Sequence, residues 1–383
     1  VTSSNNTKQA DQSLVKDSGD SLPDQKASSN GSGSSYDSSY KRHNWKNFIN
    51  CIICIVIVCA LFVLGLGIGR VSISAQDVVG ILATHFFGAP GNWTAAATTI
   101  VCDIRLPRVI AAVLVGSALA ISGASYQGLF KNPMVSPDIL GASAGASFGA
   151  ALAILWSFNN HGVELMAFGM GFVAVMLTYT SARSIGRNAN QVLLLVLCGL
   201  IVGTLFQAFV SAIKYTADPD SKLPEITYWL MGSIANVTWD SLRVFIIPYI
   251  IGVVPLLLLR WRLNSLSFGD MEAKSLGINV DLLRGIYILA ATLLTSAVVS
   301  IAGVVGWVGL IIPHLVRFIF GPDNRIVLPM SLFVGAGFMI IVDTACRTLM
   351  ASEIPLGILT AIIGAPFFFF ILIKTSKGIE KGD

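Results

Sequence analysis

Asp343 and Arg347 lie four residues apart inside an apolar run and therefore share one face of a helix. A charge at such a depth costs roughly 2.5–3.5 kcal/mol on insertion scales, so these two are either paired with each other or put to use. His314, between Pro313 and Arg317, could carry a proton. A relay through a membrane needs Asp, Glu and His on successive segments, and the chain has four His and no such ladder. A structural place near the edge of its run is the plainer reading of His314. Cys51 and Cys54 have the CxxC spacing of a redox or zinc motif. Neither a second pair nor a His cluster accompanies them, and the six cysteines (Cys51, Cys54, Cys59, Cys102, Cys198, Cys346) mostly fall in apolar segments, as packed or lipid-facing thiols do. GDMEAKS (269–275) resembles a phosphate loop only superficially, because Phe268 and Ala273 stand where that loop needs glycine. GLGIG (65–69) ends an apolar run and is no dinucleotide turn. The reading therefore expects no catalytic residue, no metal site and no cofactor bound by this chain.

The elements that position these residues follow from composition. Of 383 residues 54% are hydrophobic and 12% charged, and mean hydropathy is +0.74. A soluble domain carries about 25% charged residues. Apolar runs long enough to cross a hydrocarbon core recur without period-two alternation, which predicts an all-α polytopic membrane protein and excludes a barrel. Residues 1–40, rich in Ser, Asn, Asp and Gly, are expected to be a disordered polar cytoplasmic tail, and residues 41–383 a transmembrane domain. The tail lacks the apolar region of a cleavable signal, so KRHNWK followed by the run from residue 48 reads as an uncleaved anchor.

Ten spans are predicted, near 48–69, 109–129, 139–157, 166–182, 192–213, 244–261, 286–302, 304–320, 327–346 and 356–373. The apolar block 286–320 could be taken for one span, and charge decides against it. With ten spans and a cytoplasmic start, fifteen basic residues lie inside (Lys41, Arg42, Lys46, Lys131, Arg183, Arg187, Arg260, Arg262, Lys274, Arg284, Arg317, Arg325, Lys374, Lys377, Lys381) and seven outside (Arg70, Arg105, Arg108, Lys214, Lys222, Arg243, Arg347). Merging the block would send Arg317, Arg325 and the C-terminal lysines outside, against the positive-inside rule. Both termini are then cytoplasmic, and the net charge of +4 reports topology and not nucleic-acid binding. Ten spans allow two inverted sets of five, echoed weakly by ISGASYQGLFKNP (121–133) and IAGVVGWVGLIIP (301–313).

Three stretches stand out on this frame. FGDMEAKSLGINVDLLR (268–284) is a polar island between apolar runs, within the largest cytoplasmic loop, about 263–284. Gly141, Ser143, Gly145 and Gly149 form a small-residue face that serves either tight packing or a path or dimer seam. KNPMVSPDILG, with two prolines and Asp138, breaks the chain at the cytoplasmic end of a span, where freed backbone groups need protein or water partners.

DIRLPRVIAAVLVGSALAISGASYQGLFKNPMVSPDILGASAG, ITYWLMGSI, EAKSLGINV, AGVVGWVGLIIPHLVRFIFGPDNR and IPLGILTAIIGAPFFFFIL, in that order, resemble the permease subunit of type II ABC importers for iron siderophores, haem and cobalamin. The resemblance runs from about residue 48 to the C-terminus, and the long polar tail departs from it. It implies a ten-helix subunit in the cell membrane of a prokaryote that dimerises with a second copy or a paralogue. Two cytoplasmic ATPase subunits, which use ATP and Mg, and an extracytoplasmic substrate-binding protein are the implied partners, beside membrane lipid. By the same resemblance Gly269, Asp270, Glu272, Ala273, Lys274, Leu276 and Gly277 form the surface coupling to the ATPase, with Met271 and Leu276 as its apolar anchors. Arg105, Arg108 and Arg347 would stand at the outer mouth and receive acidic residues of the binding protein. On the residues alone they are equally interfacial anchors, with Arg347 satisfied by Asp343. Ferric siderophore is the first expected cargo, then haem, then cobalamin. The alternative, a secondary transporter or channel without an ATPase, would call for buried titratable groups that are scarce here.

Overall fold

The computed structural model describes the backbone of residues 32–185 and 191–379, and side chains over 49–185, 191–370 and at 373. The expected tail lies outside the described residues up to residue 31, as do Arg187 and Lys381 of the charge count. The chain divides into Val1–Phe48 and Ile49–Asp383. In the first unit residues 32–48 are helical, so the helix reaches into the stretch expected to be disordered.

Apolar runs with few breakers give helices, and among the described residues all regular structure is helical. In chain order the helices are α1 (Ser32–Gly67), α2 (Ala75–Phe87), α3 (Ala95–Thr99), α4 (Leu106–Leu129), α5 (Ala142–Leu155), α6 (Asn160–Ile185), α7 (Gln191–Thr216), α8 (Lys222–Leu230), α9 (Trp239–Leu258), α10 (Arg260–Ser267), α11 (Asp270–Ser275), α12 (Val280–Ala302), α13 (Val308–Phe320), α14 (Asn324–Thr348) and α15 (Leu356–Ile379). A π-helical turn, Ile100–Arg105, joins α3 to α4 and starts the second span well before the expected residue 109. Polar side chains set several starts: Thr238, Asn279 and Asp323 accept backbone N–H groups of the first turns of α9, α12 and α14.

Among the described residues seven helices are long and apolar enough to cross a membrane: Ile49–Gly67, Ala95–Leu129, α6, α7, α9, α12 and α14. Three shorter apolar helices, Ala142–Leu155, Val308–Phe320 and Leu356–Phe370, fall at the remaining expected spans. The block 286–320 is broken between Ala302 and Val308, where Gly303 (φ 64°) and Trp307 (φ 70°) turn the chain.

Missing side chains bring α4 and α14 to the centre. A Cβ on Gly116 would lie 2.2 Å from the Gly335 carbonyl oxygen, and one on Gly335 would lie 2.4 Å from that of Gly116. Backbones this close gain dispersion along the whole crossing, the main source of helix association where lipid removes the hydrophobic drive. The glycine face of α5 is used in the same way. A Cβ on Gly145 would lie 2.5 Å from Met170 O, and one on Gly149 2.2 Å from Met166 O, both on α6. Gly145 and Gly149 therefore pack within the subunit, against α6.

Non-helical backbone is satisfied inside the protein. Between α4 and α5 the Gln127 amide nitrogen reaches the carbonyls of Val135 (3.3 Å), Gly309 (3.3 Å) and Leu310 (3.2 Å), and its oxygen accepts from Arg317. At the far end of α12, Ser233 N–H donates to Ala302 O (2.8 Å), and Leu356 and Gly357 N–H donate to Gly232 O (2.9 Å) and Met231 O (3.0 Å).

Candidate functional site

The polar island is a platform with an inward and an outward side. Leu263 and Leu266 of α10 are buried, and Leu263 fills the space left by Gly128 of α4. Asn264 ties α10 to the start of α14, donating to Asp323 (2.6 Å) and accepting from Asn324 N–H (3.0 Å). Tyr287 O–H donates to Leu259 O (2.7 Å) and fixes the exit of α9. Gly269, at φ 133°, then turns the chain into α11. There Ala273 is fully buried, and Asp270 accepts from the Arg284 guanidinium of α12 at 2.9 and 3.2 Å. Arg284 also donates to Gln191 at the start of α7 (2.5 Å).

With Ala273 buried and Asp270 tied to Arg284, Phe268 (76% exposed), Met271 (76%) and Leu276 (68%) face out, beside exposed Glu272 and Lys274. Leu282 of α12 is exposed as well. The expected anchoring by Met271 and Leu276 is corrected: the small Ala273 fits against the bundle, while the large side chains are left free. Gly277, at φ 77°, closes the platform, and a Cβ there would meet nothing within 4 Å. Its requirement is conformational and not steric.

Arg105, Arg108 and Arg347 converge at the opposite end, and all three are buried. Arg105 donates to the carbonyls of Leu66 (2.8 Å), Gly67 (3.0 Å) and Val71 (2.5 Å), where α1 leaves acceptors unused. Arg108 pairs with Asp343 (2.8 Å) and with both oxygens of Glu353 (3.0 and 2.9 Å). Arg347 pairs with Asp343 at 3.0 Å and donates to Gly65 O (3.0 Å) and Ile68 O (3.3 Å). The pairing of Arg347 with Asp343 weighed from helical spacing is present, and Arg108 and Arg105 find further partners, Glu353 and the α1 carbonyls, that sequence separation hid. Three guanidinium groups against two carboxylates still leave one net positive charge.

Gly141, at φ 86°, starts α5 close to Gly203 of α7, and Ser143 N–H donates to Asp138 Oδ1 (2.7 Å). Both belong to the turn and are not brought to either surface above. Cys102 is buried, and no group of three or more His, Cys, Asp or Glu among the described residues could hold a metal.

Residues 55–374, which contain both surfaces, match the FecCD transport family. The chain belongs to this family. It is a permease subunit of the type II ABC importers, is not itself an enzyme, and is a multi-pass protein of a prokaryotic cell membrane. An importer permease of this kind implies an ATPase and a binding protein as partners.

The permease is 40% identical over 321 residues to the molybdate import system permease protein MolB of Haemophilus influenzae, covering 82% of this chain and 93% of that protein. It is 37% identical over 300 residues to a Helicobacter pylori permease protein named for iron chelatin transport, covering 78% and 90%. It is 36% identical over 286 residues to the vitamin B12 import permease BtuC of Vibrio vulnificus, covering 72% and 83%. A solved structure described as inward-facing and of metal-chelate type superposes with a TM-score of 0.75 at 38% identity, covering 85% of this chain and 98% of that one.

Proposed function

We propose that the permease forms ten crossings with both termini cytoplasmic, and that two copies, or one copy and a paralogue, enclose a path for a metal-centred cargo. The seven long and three short apolar helices support ten crossings. α4 and α12, the two most buried of the long helices, each lead into a short apolar helix. That arrangement supports two inverted halves.

The observation that carries the reading is the α11 platform. A short helix held from behind by Ala273 and Asp270 presents Phe268, Met271 and Leu276 among Glu272 and Lys274. This is the make-up of a protein-docking surface, an apolar centre with a charged rim. We assign it to the cytoplasmic ATPase, whose stroke would enter the bundle through Asp270–Arg284 into α12. The net positive arginine cluster is assigned to the extracytoplasmic binding protein, whose acidic side chains would compete with the partly exposed Glu353 for Arg108.

Ferric siderophore is the proposed first cargo, with haem and cobalamin next, and the MolB relative adds molybdate as a fourth. The test is ATP-dependent uptake by the permease reconstituted with its ATPase and binding protein, with each of the four cargoes supplied in turn. Uptake without the ATPase would sink this reading in favour of a secondary transporter.

A further inference from the structure

Two cavities meet beside the first turns of α6 and α9. One, of about 550 Å³, is an apolar groove among Leu165, Phe168, Val244, Pro248 and Ala297. It forms because α6 and α9 both pack on α12, where Ala297 and Ser300 are too small to fill the space between them. The other, of about 180 Å³, has a mixed lining that includes Glu225, Asn160, Asn236, Tyr228 and Trp229. Glu164, Ser300 and Ile301 line both, so the two cavities adjoin along these residues.

Glu164 stands at their junction, half-buried. One carboxylate oxygen accepts from Ser241 (2.7 Å), and the other faces His161 at 3.3 Å. Among the described residues no Lys or Arg pairs with Glu164, whereas nearby Glu225 has Lys222 (3.4 Å) and Asp240 has Arg243 (2.9 Å). The bland account of Glu164, an acid complementing a helix start, explains its bond to Ser241. It does not explain why a groove wide enough for an alkyl chain opens beside it. Tyr228 and Trp229 have the amphipathic rings that settle at headgroup depth.

We propose that these adjoining cavities bind one phospholipid with a primary-amine headgroup, its acyl chain in the groove and its ammonium donating to Glu164. The carboxylate supplies the charge complement, and the smaller cavity, with Asn160 and Asn236 in its lining, gives the headgroup a place inside the protein outline. The site is far from the α11 platform and needs no part of the importer assignment.

The test uses the full chain in nanodiscs of phosphatidylethanolamine, phosphatidylcholine and phosphatidylglycerol in equal parts, with native mass spectrometry of the lipid retained after transfer to detergent. Phosphatidylcholine shares the phosphate and the charge but has no N–H donor. One charge-assisted hydrogen bond predicts roughly tenfold enrichment of phosphatidylethanolamine over it. Glu164→Gln should abolish the enrichment. Val244→Trp, at an exposed rim position, should cover the groove and lower retention of every lipid with an unchanged Tm. Equal retention of the three lipids by the wild type would mean ordinary annular lipid and overturn the proposal. Enrichment that survives Glu164→Gln, or retention untouched by Val244→Trp, would overturn it too.

Discussion

Asp270→Asn tests whether α11 must be held in place to do its work. The substitution removes a charge whose partner, Arg284, is 7% exposed in its side chain, while Asp270 itself is 50% exposed. Breaking a fully buried pair costs about 3–5 kcal/mol and an exposed pair about 0–1 kcal/mol. A pair with one buried and one wet member falls between, and solvent at Asp270 moves the figure towards the lower range, about 1–2 kcal/mol. Arg284 keeps Gln191 at 2.5 Å and Asp281 at 3.9 Å, so α12 should stay seated and the loss should fall on α11. At 1.4 kcal/mol per decade, ATPase affinity should drop roughly 5- to 30-fold. The assay is a titration of purified ATPase onto permease in nanodiscs, with thermal melting run alongside. Glu272→Lys, at an exposed position with an intact platform, should weaken docking without moving the melting curve. Exchanging the pair, Asp270→Arg with Arg284→Asp, should restore part of the affinity lost by either single change. Wild-type docking by Asp270→Asn would refute the reasoning. So would a lost melting transition, which would show that the pair holds the whole bundle.

At the other end, Asp343→Ala should destabilise by about 3 kcal/mol, because it removes the buried carboxylate shared by two buried guanidinium groups, whereas Glu353→Gln, at a partly exposed side chain, should cost about 1 kcal/mol or less; denaturation in detergent separates them. Gly116→Leu should abolish folded protein by size-exclusion profile, since its side chain would begin 2.2 Å from Gly335 O, while Gly277→Ala, with open space around it, should cost only the roughly 1–2 kcal/mol of a left-handed backbone. For topology, a cysteine at exposed Tyr215 should react with an impermeant maleimide in whole cells, and one at exposed Ser275 only after permeabilisation; buried Cys102 should stay silent in both.

The limits of legibility have physical causes. The basic residues from Arg317 onward sufficed to divide the block 286–320, because a charge bias is a local signal. The polar island was equally visible, since Asp270, Glu272 and Lys274 interrupt apolar sequence. Which of its side chains face inward was not. Hydropathy favours Met271 over Ala273 as an anchor, while the close approach of α11 to the bundle admits only the smaller one. Asp343 with Arg347 could be paired on helical spacing, but Arg108 finds Asp343 across 235 residues and Glu353 across 245. No local pattern encodes those distances. The glycines of α5 announced a close contact without saying with what, and Met166 and Met170 of α6 supply the answer.

Gln127 has a mechanical consequence. Its one side chain bonds the turn that follows α4, at Val135, and the opening turn of α13, at Gly309 and Leu310, and it receives Arg317. The two interruptions, nearly two hundred residues apart in sequence, are pinned at a single point. Neither can swing without dragging the other or breaking the pin, so this end of the bundle has one degree of freedom where two hinges would give it two. A displacement delivered to either turn then arrives at both in phase, with no relay between them.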